Sequence, residues 1–255
     1  DEDIEALYRD VEDPLYFASE DERRDEFRRA LESIESHEAV ASPGRVIEIG
    51  SAVGLFLDEA SKRGWAAVGI EPSRWAAEQA RALGANVFNG TLDEFQPESE
   101  SPESNEEKRF DVVVSWDVWE HLPDPMGALE RAFELVRPGG LLVLTTVNMK
   151  SLGARLLRSR WPWFMRMHLH YFTPESAAEM VRRAGFERVR TSSRPKILKL
   201  GYLVERASRM LGPLGSPSRW LVSKLGLAAI PVRVDLGDIL LVEARRPAAE
   251  KTKPV

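Results

Sequence analysis

A chain of 255 residues with 43% hydrophobic and 30% charged side chains suits one large α/β domain with additions and is too apolar to be disordered. It has no cysteine, which excludes disulfides, thiolate nucleophiles and cysteine metal sites, and its net charge of -6 argues against general nucleic-acid binding. Charge is unevenly placed: residues 1–40 hold 15 acidic and 5 basic side chains, residues 41–148 hold 18 and 9, and residues 149–255 hold 8 and 21. Such a split is compatible with two halves that attract each other, with an anionic substrate, or with an anionic membrane surface. The acidic N-terminus lacks the basic-then-apolar pattern of a secretory leader. The longest apolar run, Leu225 to Val232, falls short of the ~20 residues of a membrane span. A cytoplasmic location is the expectation, in keeping with the absent cysteine.

In chain order, residues 1–20 read as acidic and irregular, and Asp21–His37 as a helix with Phe27, Ala30, Leu31 and Ile34 on one face. From Arg45 strands and helices alternate. Strands are expected at Arg45–Ile49, Ala66–Ile70, Asn86–Phe88, Asp111–Ser115 and Leu141–Thr146. Helices are expected at Leu55–Arg63, from Ser73 to Gly84, and from Asp124-Pro125 to about Val136. Pro138-Gly139-Gly140 reads as a turn, and the apolar-free stretch 97–108 as a solvated acidic loop. Thr173-Pro174-Glu175 opens a further helix that Gly185 ends. Phe186–Thr191 and Ile239–Ala244 complete the strands, with amphipathic helices near Leu200–Leu211 and Ser218–Leu227 between them. The expected fold is α/β: a Rossmann-like, doubly wound, seven-stranded sheet, mostly parallel with an antiparallel last strand, plus an N-terminal helix and a helical insertion before the last strand. The chain divides into an N-terminal lid or helical extension, 1–40, and a main domain, 41–255, with the insertion at 197–230.

The first strand runs into Gly50-Ser51-Ala52-Val53-Gly54, a glycine turn that lets the backbone approach a ligand at the strand ends. The second strand ends in Glu71, about twenty residues on, where an acid can take both hydroxyls of a ribose. A dinucleotide loop would want glycine or alanine at position 55, where Leu55 stands. The segment Val46–Gly54 resembles motif I of the class I S-adenosylmethionine-dependent methyltransferases, with Ala52 where that family usually has glycine. Gly69-Ile70-Glu71-Pro72-Ser73 is similar to the family's ribose-binding motif. Asn89-Gly90-Thr91-Leu92 falls at its adenine contact, with Thr91 in place of an acid. Phe110–Pro125 and Val136–Gly140 resemble the later motifs, and the resemblance spans roughly residues 40–195.

The resemblance implies S-adenosylmethionine as cofactor, held by Glu48, Gly50, Ser51, Ala52, Gly54, Glu71, Pro72, Thr91, Leu92 and Trp116. It further implies a methyl acceptor that is a small molecule, a sugar or a lipid-linked compound. A sulfonium methyl is already activated, so the enzyme's tasks are in-line positioning and removal of the nucleophile's proton. Asp117, His121 and His170 are the catalytic candidates. His121 has the right range for a general base, and Glu120 and His121 could equally cap the loop. His168 and His170 point the same way if their segment is extended, and one of them could be a satisfied core residue.

The Asp117-x-x-Glu120-His121 order is similar to ubiquinone-biosynthesis O-methyltransferases, where such residues can hold magnesium or manganese. No metal is assigned here. Tyr16-Phe17 is a candidate lid. The basic amphipathic pair in 197–230 can cover a pocket, lie on an anionic membrane, or serve association of subunits. The O-methyl reading stands beside N- or C-methylation, a NAD(P)-dependent reductase, which would need a Tyr-x-x-x-Lys pair that is absent, and a non-catalytic cofactor-binding protein. Neither the acceptor nor the oligomeric state is specified.

Overall fold

Alternating apolar positions in the central strands are what build the two cores. The computed structural model describes residues 20–40, 43–97, 109–201, 204, 222 and 224–248. Strands β1 (Arg45–Ile49), β2 (Ala66–Glu71), β3 (Asn86–Asn89), β4 (Phe110–Trp116), β5 (Val136–Val147), β6 (Glu187–Ser193) and β9 (Ile239–Arg245) form one seven-stranded sheet. Its order is β3-β2-β1-β4-β5-β9-β6. The first five strands are parallel, and β9 runs antiparallel to both neighbours, β5 and β6. Successive side chains of a strand face opposite sides. Val46, Val112, Val114 and Leu141 therefore pack under helices α1 (Glu20–Glu35), α2 (Leu55–Lys62) and α3 (Arg74–Ala82). Ile47, Val113, Leu142 and Leu144 pack under α4 (Pro125–Leu135) and α6 (Pro174–Arg183).

Helix starts follow the local chemistry. The Ser73 hydroxyl accepts from Ala76 N at 3.1 Å, and the Asp124 carboxylate accepts from Met126 N and Gly127 N at 3.1 and 2.9 Å. Thr173 and Ser176 form a reciprocal capping box. Helix α1 is tied down by charge: buried Glu59 on α2 accepts from Arg24 at 2.8 Å and from Arg28 at 2.9 Å. Burial pushes Glu59 up, but these guanidinium bonds outweigh it and hold the carboxylate below its ordinary range.

The sequence expectations hold for the sheet, with four differences. The turn Pro138–Gly140 lies within β5, as an excursion in the ladder where Phe110 faces Val136 but Val112 faces Leu141. A short helix α5 (Leu152–Leu157) follows β5 unannounced. The insertion opens and closes in strands, β7 (Lys196–Lys199) and β8 (Pro231–Val234), paired as an antiparallel ribbon. Charge attraction between the two halves reduces, among the described residues, mainly to Glu38, which takes Arg188 and Arg245 at 3.2 Å each. Tyr16-Phe17, the acidic loop 97–108 past Pro97 and most of the expected helices Leu200–Leu211 and Ser218–Leu227 lie outside the described residues.

Candidate functional site

Strand order reverses between β1 and β4, so the C-terminal ends of these strands border a crevice. The turn after β1 fills its floor. Gly50 N and Ser51 N donate to the Ile70 carbonyl at 2.9 and 3.0 Å, and Gly54 N to that of Ser51 at 2.9 Å. Gly50, Ala52 and Gly54 all have left-handed backbones, with φ of 75°, 46° and 79°. A Cβ on Gly50 would stand 2.5 Å from a Val118 methyl, so the turn also presses against the loop after β4. Ala52 is the costly member, since the left-handed region disfavours a side chain by about 1–2 kcal/mol. Glycine's extra chain entropy costs about 0.5–1 kcal/mol. Ala52→Gly is therefore expected to stabilise the protein by roughly 0.5–1 kcal/mol in denaturant unfolding. A destabilised variant would show that the methyl is packed rather than strained.

Glu71, at the end of β2, is held at both oxygens: Oε2 accepts from Ala52 N and Oε1 from Ser73 N, each at 2.8 Å. An ionised carboxylate has about four lone-pair sites, so further donors can still be accepted. Burial pushes Glu71 up, and the two backbone N–H groups work against that. Asn89 fixes the same corner by donating to the carbonyls of Glu71 and Pro72 at 2.9 and 3.1 Å. Thr91 is engaged locally: its N–H donates to Glu94 at 2.8 Å and its hydroxyl accepts from Glu94 N at 3.4 Å. Leu92 packs, half-buried, against the core beneath.

Glu48 lies 2% exposed on β1, and neither its Oε2 nor the Ser51 hydroxyl has a protein partner. Burial first, then the charge of Glu71, pushes Glu48 well above the usual carboxylate range. A carboxyl with a raised folded pKa adds stability below its unfolded value of about 4.3, and this is lost as pH rises through the folded pKa. The Glu48 contribution thus declines as pH rises above about 4.3, so the melting temperature of Glu48→Gln should gain on that of the wild type with rising pH and lie above it at neutral pH. Identical pH slopes for the two proteins would contradict this.

After β4 the chain turns at Asp117, φ 55°. Its N–H donates to the Thr145 hydroxyl at 3.0 Å, and its carboxylate accepts from that hydroxyl at 2.8 Å. The Trp116 ring packs with Phe27 and Phe56 at 6.0 and 5.6 Å, and the Arg194 guanidinium covers it at 4.6 Å. The Trp116 side chain thus belongs to the α1–α2 face, and only its backbone reaches the strand end.

Glu120 and His121 follow in a 3-10 turn, Trp119–His121. Buried Glu120 accepts from the Thr146 hydroxyl at 2.7 Å. Its backbone carbonyl accepts from Leu169 N and His170 N, at 2.7 and 3.1 Å. These bonds bring in the aromatic segment 161–173. His168, not His170, joins the site: its ring lies edge-on to His121 at 4.7 Å. Ligand atoms of Glu120, His121 and His168 all lie within 4.8 Å of one another. His170 approaches through its backbone, and its ring lies against Phe172 at 6.3 Å. Asp117 is turned to Thr145 and is not in the group.

His121 Nδ1 lies 2.9 Å from the Met167 carbonyl, which can only accept, so Nδ1 carries the proton and Nε2 the lone pair. Burial lowers the His121 pKa, against smaller upward pulls from the Met167 carbonyl and Asp117. Burial and then His121 lower His168, whose ring also bonds the Trp163 carbonyl. His168 Nδ1 has no partner, so the other nitrogen makes that bond. Both rings are therefore held in the neutral form near neutral pH, beside the Glu120 carboxylate.

The segment is pinned to the sheet by Asp238, just before β9. Its carboxylate accepts from Ser151 Oγ at 2.6 Å and from Trp161 Nε1 at 2.9 Å, and its carbonyl from Asn148 N at 2.8 Å. Sequence reasoning missed Asp238, and it placed Asn89 at the adenine contact without its bonds to the Glu71 corner. The only signal for Asp238 is its place next to the last strand, and Asp235 stands three residues before it.

The model of the methyltransferase domain family matches residues 20–191. A ubiquinone biosynthesis O-methyltransferase of Cereibacter sphaeroides is 30% identical over 159 residues, which cover 57% of this chain and 61% of that protein. This chain thus matches about three fifths of the length of that curated relative. An S-adenosylmethionine-dependent methyltransferase from Archaeoglobus fulgidus superposes with a TM-score of 0.60 at 18% identity, covering 92% of this chain and 100% of that one. Phosphoethanolamine N-methyltransferase 2 of Haemonchus contortus, solved with S-adenosylmethionine, gives a TM-score of 0.53 at 16% identity over 88% of this chain and 52% of that one. The two solved structures share the fold.

Proposed function

The chain belongs to the methyltransferase domain family, and from that premise we propose that it transfers a methyl group from S-adenosylmethionine to a hydroxyl of a small-molecule, sugar or lipid-linked acceptor, with His121 as base. The observation that carries the reading is the pairing of His121 with Glu120 and His168 beside the crevice. There the imidazole presents an unprotonated Nε2.

The residues at the crevice fit the cofactor. Three left-handed residues give a close backbone turn, Glu71 is held at both oxygens for ribose hydroxyls, and Glu48 and Ser51 offer buried polar atoms that lack protein partners. Pro72, Thr91 and Leu92 would border the adenine, and the Trp116 backbone the methionine end. When bound, the cofactor supplies a methyl group already activated by its sulfonium. The protein orients the acceptor oxygen and takes its proton at His121 Nε2. Glu120 supports the imidazolium electrostatically, and Asp117 holds the loop through Thr145. His170 is assigned to the acceptor's rim through its backbone bond to Glu120.

A second reading is favoured by the donor set. Two imidazoles and a carboxylate suit zinc or another transition ion better than magnesium. Glu120, His121 and His168 would hold it, and it would lower the pKa of an acceptor hydroxyl.

The experiment is to incubate the protein with methyl-labelled S-adenosylmethionine and hydroxylated quinones, catechols, sugars and amines, before and after chelation. Label on an oxygen, insensitive to chelator, is expected. Label only on nitrogen or carbon would overturn the oxygen assignment, and loss on chelation would favour the metal reading.

A further inference from the structure

Ten of the eleven large apolar side chains that are exposed among the described residues fall in two stretches, 149–169 and 225–236. The stretches meet: Leu152 N donates to the Leu236 carbonyl at 2.9 Å. On α5, Leu152, Arg155 and Leu156 share the outer face while Gly153 and Ala154 pack inward, and Leu156 is 71% exposed. Phe164, Met165 and Met167 continue the apolar surface beyond it.

Charge on this surface has one sign. Residues 149–169 contain Lys150, Arg155, Arg158, Arg160 and Arg166, all exposed, and no acid, in a chain with more acids than bases. Lys150 pairs with Glu175 at 2.9 Å, and none of the four arginines has an ion-pair partner among the described residues. In sequence, residues 196–234 add seven basic side chains and one acid.

We propose that this face docks on an anionic lipid bilayer. Five exposed cations with no acid would repel each other across a contact between two copies of this face, whereas they complement an anionic lipid surface. A bilayer surface accommodates that arrangement: the stems of arginine and the leucines enter the acyl boundary while guanidinium groups reach lipid phosphates. No helix among the described residues is long and apolar enough to cross a membrane, so the contact is peripheral. The surface lies on the same segment that carries His168, so docking would set the crevice facing the lipid. It does not rest on the methyl-transfer reading, because binding is measured without turnover.

The test is co-sedimentation of the full chain with vesicles of phosphatidylcholine alone and of equal parts phosphatidylcholine and phosphatidylglycerol. Binding to the mixed vesicles only is expected, weakening as ionic strength rises from about 0.1 to about 1 M, where the screening length falls from about 10 to about 3 Å. A Leu152→Ser, Leu156→Ser variant and an Arg155→Gln, Arg160→Gln, Arg166→Gln variant should each bind about ten-fold more weakly. Both should retain the wild-type circular dichroism spectrum and melting temperature. The exposed arginine variant keeps the test valid should the leucine variant fold poorly. No binding to mixed vesicles, or binding unchanged in the arginine variant, would overturn the proposal. So would a wild-type dimer that the leucine variant converts to monomer without any vesicle binding, which would give the face to a second copy of the chain.

Discussion

His121→Ala is expected to lose methyl transfer by about 10²–10⁴-fold, the usual contribution of a positioned general base, while its affinity for S-adenosylhomocysteine stays within about two-fold. The separation follows from placement. In the proposed arrangement His121, held by the Met167 carbonyl, serves the acceptor, while the glycine turn and Glu71 hold the cofactor. Burial lowers the His121 pKa, so the unprotonated base persists to a lower pH than in a solvated histidine. The acidic limb of kcat should thus fall below about 6.5, the ordinary histidine value. Asp117→Asn should move that limb further down, since His121 would lose a carboxylate that favours its protonation. Wild-type turnover in His121→Ala would remove the base assignment. A limb unmoved by Asp117→Asn would show that this carboxylate does not act on the imidazole.

Glu71→Ala should weaken S-adenosylhomocysteine binding by about 1.5–3 kcal/mol, the range for a hydrogen bond to a charged group. The loss should sit at the upper end, because truncation also releases Ala52 N and Ser73 N, whose acceptors are the two Glu71 oxygens. The strained turn at Ala52 would then lose its tether. Glu71→Gln keeps one acceptor oxygen and should lose less. Titration calorimetry reads both. Unchanged affinity in Glu71→Ala would place the ribose elsewhere.

The parallel half of the sheet was legible because each strand is a short β-branched run followed by a turn or helix-capping signal. Arg45–Ile49 ends in the glycine turn, and Ser73, Asp124 and Thr173 cap the next helices as their types demand. Features set by long-range packing were not legible. Helix α5 buries only Gly153 and Ala154 and turns leucines outward, so no inward apolar period announces it. Strand β7 is four residues long, and its partner β8 lies across the insertion. At the site, position 52 was flagged as a departure from glycine, but its left-handed φ needed coordinates. The histidine pair is the sharper case. Alternation along 168–170 put both rings on one side, whereas backbone bonds from Leu169 and His170 to the Glu120 carbonyl turn only His168 toward His121. Asp238 acts on Ser151 and Trp161 from far along the chain, a contact no local pattern encodes.

The most direct test of the central claim is calorimetric titration of the purified protein with S-adenosylhomocysteine, with NADH as control. Micromolar binding of S-adenosylhomocysteine and none of NADH is expected, with the signal reduced in Glu71→Ala. Binding of NADH instead, or of neither, would contradict it. Either result would mean that the turn at Gly50–Gly54 and the carboxylate of Glu71 do not form a site for this cofactor.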